Sequence, residues 1–224
     1  MKIGKVQKVN ELNPEQVDQL RRGALEANTE NTPEGYEMGF DTVICNPQLI
    51  TDEGLQVITN IHWTTPIKEL EENETPRQAK ERFTNSFKVS IRPGYDVTVL
   101  KEPEMTQALD VVNVTLPDMM DFGKVVHGVI HHMTEDVYWN WKVERENELD
   151  TACCFFTLND LFSGGRITID PGLTYDLPRG SFLGFNNCTH TMYSMEPIYD
   201  GERFLLQLFF QRPTLEEQEA LASA

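Results

Sequence analysis

The sequence predicts an α+β chain, with helices in residues 1–87 supporting a jelly roll of about eight core strands in residues 88–211. Three observations carry this. Capped helix starts are confined to the first 87 residues. From Lys88 onward, short blocks of β-branched and aromatic residues are separated by Gly, Pro, Asn or Asp, the punctuation of antiparallel strands. The stretch from Thr151 to Gln211 shows this pattern most strongly, and the chain is organised around it. At 224 residues the chain is long enough for a single domain burying roughly 70% of its unfolded surface. Residues 212–224 form a short acidic tail.

The elements follow in order. KIGKVQKV alternates loosely and reads as a strand. Asn13-Pro14-Glu15-Gln16 supplies a cap, a first-turn proline and a capping-box glutamine, and Val17, Leu20 and Ala24 then share a face, so a helix over 14–28 is expected. FDTVICNP reads as a strand. TDEGLQVITNIHW has a cap and first-turn acids, and TPRQAKERFTNSF repeats the cap, Pro, Gln arrangement; both read as helices flanking the solvated run KELEENE. KVSIR, DVTVL, ALDVVNVTL, KVVHGVIHH and VYWNWKV then come at β-sandwich spacing. After them stand TACCFFTLND, the Gly-Gly turn of FSGGRITID, PRGSFLGFNNCTHTMYSMEP and GERFLLQLFFQ.

Composition bounds the function. A formal charge of −17, from 19 basic and 36 acidic residues, repels phosphate backbones and anionic membranes, so nucleic acid is not an expected partner. No apolar run approaches the roughly 18 residues of a membrane span, and MKIGKVQKVNEL lacks the apolar core of a signal peptide; a cytoplasmic protein is expected. Cys45, Cys153, Cys154 and Cys188 show no CxxC spacing and read as reduced thiols.

Candidate site residues emerge from strand alternation. On the last strand, Arg203, Leu205, Gln207 and Phe209 share one face, and Phe204, Leu206, Leu208 and Phe210 share the other. An arginine among apolar residues either faces the interior as a carboxylate clamp or pairs with Glu202 or Asp200 at the surface. His190 follows the turn Asn186-Asn187-Cys188 near a sheet end, where a metal ligand could be presented, but one imidazole needs further donors. Cys188 and His190 on one strand fit a catalytic pair poorly. His127 and His131 would share a strand face roughly 13 Å apart, too far for one ion. HGVIH lacks the glutamate of a zinc hydrolase. His62 reads as a histidine at a helix C-terminus.

TACCFFTLND, Gly164-Gly165, PRGSFLGF, His190 and Arg203 together resemble the 2-oxoglutarate and iron(II) dependent oxygenases of the prolyl-hydroxylase type. The resemblance covers about 60 residues. It implies a double-stranded β-helix, cupin-like, with iron(II) and 2-oxoglutarate as cofactors and a small molecule or peptide as substrate. It makes His190 the distal iron ligand, Arg203 the clamp on 2-oxoglutarate, and Leu158-Asn159-Asp160 and Gly164-Gly165 scaffold. A homo-oligomer is compatible with it.

The chain departs from that pattern in three places. His190 and Arg203 are thirteen positions apart, against about ten in the family. Leu205 stands where many members carry serine or threonine. The family's His-x-Asp or His-x-Glu pair would lie on Val137–Val143, but VYWNWKV has neither histidine nor acid. His132 and Asp136 are the nearest replacements. Two functions follow: a 2-oxoglutarate oxygenase-like hydroxylase, or a non-catalytic relative that has lost its iron site and binds a ligand or partner or serves in an assembly.

Overall fold

The computed structural model describes residues 44–46, 50–113, 124–144, 150, 152–170, 173–186 and 191–211. The helix expected over 14–28, the strand over 2–9 and the acidic tail lie outside them. Among the described residues, three helices and twelve strands follow in order. They are β1 (Ile44–Asn46), α1 (Asp52–Thr64), α2 (Pro76–Ala79), β2 (Phe87–Arg92), β3 (Tyr95–Val99), α3 (Glu104–Asn113), β4 (Lys124–Thr134), β5 (Trp139–Lys142) and β6 (Ala152–Thr157). Then come β7 (Phe162–Gly164), β8 (Ile167–Ile169), β9 (Leu173–Tyr175), β10 (Phe182–Asn186), β11 (Tyr193–Met195) and β12 (Ile198–Gln211).

The strands form two antiparallel sheets. The major sheet runs β1-β10-β6-β12-β4-β3-β2, with β7 paired to the start of β12, and the minor sheet runs β5-β11-β8-β9. This is the jelly roll expected from the strand pattern, in the double-stranded β-helix form that the resemblance implied. β6 lies between β10 and β12, and all six of its residues are buried, so ACCFFT reads as a continuous apolar run because both of its faces are covered.

Alternation divides the apolar residues into two cores. Val97, Val129, Phe155, Leu183, Leu205 and Phe209 face the minor sheet, where Trp139, Ile167, Ile169, Tyr193 and Met195 meet them. Ile130, Cys154, Phe156, Phe204, Leu206 and Leu208 face the other way, onto Leu55, Ile58 and Ile61 of α1 and Met105, Ala108 and Val112 of α3. Gly128 lets α3 approach, since a Cβ there would stand 3.0 Å from the Met105 methyl and 3.1 Å from Leu208. α1 begins as its sequence implies, with the Thr51 hydroxyl accepting from the Gly54 amide.

Two expected elements differ. ALDVVNVTL was expected as a strand, but its described part belongs to helix α3. Met105, Ala108 and Val112 recur at three and four residues, and tertiary burial of that stripe outweighs the β preference of Val111-Val112. TPRQAKERFTNSF carries the expected capping box between Thr75 and Gln78, but the helix lasts one turn. There Arg77 reaches the buried Asp150 and the Lys80 ammonium donates to the Val126 carbonyl, 3.0 Å away, and these contacts fix the segment by tertiary interactions.

Candidate functional site

The interior between the two sheets is the place where this fold would hold a ligand, and β12 lays four side chains into it. Gln207 pairs across the ladder with Val129 and Phe155, and Leu205 with His131 and Thr157. The His131 ring lies between Tyr95 and Gln207, with the Tyr95 hydroxyl 2.8 Å from Nδ1 and Gln207 Oε1 2.9 Å from Nε2. Gln207 Oε1 can only accept, so Nε2 carries the proton and Nδ1 accepts from Tyr95. The Gln207 amide donates onward to Glu144 Oε1 at 3.3 Å, and the same oxygen takes the Tyr193 hydroxyl and the Lys142 ammonium, the latter at 3.0 Å. Burial, reinforced by the Lys142 charge, lowers the His131 pKa to about 3 and keeps the ring neutral. The chain of polar groups is therefore directionally satisfied from Tyr95 to Lys142.

Aromatic rings fill the space beside it. Tyr193 stands 6.0 Å from Trp139, 5.3 Å from Phe155 and 5.6 Å from Phe185, measured between ring centroids. Trp139 is 5.7 Å from Phe155. Lys142 caps the group, its ammonium 4.6 Å from the Trp139 ring centre and 5.0 Å from that of Tyr193.

Arg203 is buried, with 1% of its surface exposed, so the surface pairing with Glu202 or Asp200 does not occur. Its Nη1 donates to the Gly165 carbonyl and its Nη2 to Thr157 Oγ1 at 3.3 Å, while Nε has no partner. The guanidinium lies 5.0 Å from the centre of the Phe162 ring. Burial lowers its pKa to about 10, a shift that Asp176 and Glu196 partly oppose. The Gly-Gly turn is required here: Gly164 and Gly165 have φ of +79° and +68°, and a Cβ on Gly165 would lie 2.6 Å from Ile198 and 3.0 Å from Arg203 Nη1. Outside this turn lies a recess of about 520 Å³, lined among others by Arg166, Asp176, Arg179, Glu196 and Tyr199. Arg166 and Glu196 form a two-pronged ion pair across it, at 2.7 and 2.9 Å.

Of the sequence-predicted site residues, His132, Asp136 and Arg203 are among those described. His190, with Cys188, lies outside the described residues. His132 and Arg203 are on opposite faces of the major sheet, because His131 points inward and the pleat turns its neighbour outward. Asp136 sits in the turn after β4 with φ of +66°, exposed, its amide donating to the Ile198 carbonyl at 2.9 Å. Ten positions before Arg203 stands Tyr193, fully buried beside Trp139. The spacing that resemblance gave to an iron-binding histidine therefore belongs here to a tyrosine in the aromatic cluster.

His132 instead meets residues that the sequence did not single out as ligands. Asp96 is its direct cross-strand partner on β3, and His62 reaches it from the last turn of α1. One ligand atom from each of His62, Asp96 and His132 lies within 4.8 Å of the others, and this is the one such group of three among the described residues. Only the alternation of DVTVL hinted at Asp96. The approach of His62 depends on how α1 docks, which local pattern does not encode.

In the interior His131 has both ring nitrogens engaged and Glu144 Oε1 takes Gln207, Tyr193 and Lys142, and no three ligand atoms converge there among the described residues. The described residues there do not fit the metal.

No family model matches the chain, and no curated protein matches it by sequence. Solved structures of similar fold are found. A Trichoplax adhaerens prolyl hydroxylase in complex with a hypoxia inducible factor peptide is 12% identical, with 96% of this chain and 99% of that one covered and a TM-score of 0.53. HygX from Streptomyces hygroscopicus, with nickel and 2-oxoglutarate bound, is 9% identical, with coverage of 80% and 86% and a TM-score of 0.53. A Pseudomonas putida prolyl-4-hydroxylase is 11% identical, with coverage of 76% and 92% and a TM-score of 0.51. This chain has the fold of the 2-oxoglutarate oxygenases.

Proposed function

We propose that this protein is a non-catalytic double-stranded β-helix module, in which the space for iron(II) and 2-oxoglutarate has become packed core. The observation that carries this is the ring cluster of Trp139, Phe155, Phe185 and Tyr193 beside the closed polar chain through His131. Clearing the interior requires at least Trp139 and Tyr193 to leave. Displacing two buried aromatics costs about 6 kcal/mol, comparable to the whole stability of an ordinary domain.

A place for binding among the described residues is the recess outside the Gly-Gly turn. Two arginines, three acids and the half-exposed Tyr199 suit a polar peptide segment of a partner. A peptide held by a neighbour of the same fold supports that class of ligand. In a peptide-library screen, hits that Tyr199→Ala abolishes are expected, and hits indifferent to it would remove the recess from the proposal. The second reading, a working oxygenase, is favoured by the fold and by the inward position of Arg203. Turnover separates the two: with iron(II), ascorbate, oxygen and 2-oxoglutarate, the protein should form no succinate beyond a protein-free control. Catalytic succinate formation would overturn the module reading.

A further inference from the structure

We infer that His62, Asp96 and His132 form a binding site for one divalent transition-metal ion of the zinc class, on the helix-covered face of the major sheet. The site is separate from the sheet interior and does not depend on whether that interior binds 2-oxoglutarate.

The donor chemistry is that of a metal site. Two imidazoles and one carboxylate converge, a set suited to zinc, nickel, cobalt or iron(II) rather than to magnesium or calcium. Each imidazole has one nitrogen already engaged. Thr98 Oγ1 lies 2.8 Å from His62 Nδ1. With Nδ1 donating to that hydroxyl, Nε2 keeps its lone pair, and Nε2 is buried with no hydrogen-bond partner. His132 Nε2 lies 2.8 Å from the Glu202 carboxylate, which can only accept, so Nδ1 is the nitrogen left to bind. A carboxylate behind a ligating histidine is the usual outer arrangement at metal sites, fixing the tautomer and raising the basicity of the ring.

The surroundings hold the rings in place. His132 stacks on Phe204 at 4.4 Å between centroids, and Trp63 lies edge-on to both histidines at 5.2 and 5.3 Å. Around zinc, nitrogen and oxygen ligands lie at about 2.0–2.2 Å, so the three atoms must draw together by about 1 Å or more. Asp96 is half-buried and supplies that movement. Lys88 is a nearby opposing charge, and its ammonium donates to the His62 carbonyl at 3.3 Å. The residues come from α1, β3 and β4, so an ion here ties the helix to the sheet.

The test is a zinc titration of the chelator-stripped full chain by calorimetry, repeated on Asp96→Asn and His132→Gln. One ion per chain is expected, weakened at least 10-fold in each variant, with a zinc-dependent rise in melting temperature that both variants lose. Circular dichroism checks that the variants are folded. Cobalt should give a visible absorption band that zinc displaces. Absent or multiple weak binding, unchanged by either substitution, would overturn the site and mark the uptake as adsorption to an acidic surface. Arg203→Met should leave zinc affinity unchanged, because Arg203 lies on the other face. Retained zinc binding without succinate formation upholds both this site and the module reading. Succinate formation with zinc binding intact overturns only the latter.

Discussion

His131 gives a pH test of the interior. Its ring is buried between Tyr95 and Gln207, and its pKa falls to about 3, against about 6.5 in the unfolded chain. The unfolded state therefore binds a proton that the folded state refuses. Stability from this group is intact above pH 6.5 and is lost as pH falls from there toward 3. At pH 5 the loss is RT ln(1 + 10^1.5), about 2 kcal/mol, against less than about 0.1 kcal/mol at pH 7.5. His131→Gln removes the titration while keeping a donor and an acceptor. Urea unfolding followed by tryptophan fluorescence should show the wild type more stable than the variant at pH 7.5, by whatever the ring's packing contributes. That difference should shrink by about 2 kcal/mol at pH 5. Because the packing term is common to both pH values, it cancels. A difference constant across this range would refute the buried, neutral ring and with it the polar chain proposed to close the interior.

Other perturbations follow from the same packing. Arg77 holds Asp150 with two prongs, and the Asp150 carboxylate is 1% exposed. Arg77→Ala removes the counter-charge of this buried carboxylate, leaving it the Gln211 amide at 3.1 Å, and should cost about 3 kcal/mol by urea unfolding, with partial recovery when Asp150→Asn is added. Gly165→Ala places a methyl at φ +68° against Ile198 and Arg203. A loss of about 2 kcal/mol is expected, and a melting temperature unchanged by this substitution would contradict the described turn.

What was legible in the sequence is what local pattern encodes. Alternation on RFLLQLFF assigned residues 203–210 of β12 to their faces, and the Gly-Gly pair marked a turn that has positive φ at both positions. The Thr75 and Gln78 capping box was readable because it spans four residues. ALDVVNVTL misled because its β-branched residues outvoted a three-and-four spacing that gains meaning only against Gly128 and Leu208. The candidate site was least legible. Assigning Arg203 inward needs the second sheet, and joining His62 to His132 needs a helix docked across seventy residues of chain. Sequence proximity paired His132 with Asp136, whereas the contacts of His132 are with Glu202 and Phe204, and Asp136 stands in an exposed turn.

The measurement that bears most directly on the closed interior is 2-oxoglutarate binding under anaerobic conditions with iron(II) present, on the wild type and on Arg203→Met. Iron uptake alone does not discriminate, since the outer site of His62, Asp96 and His132 suits iron(II) as well. No saturable 2-oxoglutarate binding is expected in either protein, because the interior is packed. Saturable binding to the wild type that Arg203→Met abolishes would contradict a closed interior, and would mean that it opens to a carboxylate at Arg203.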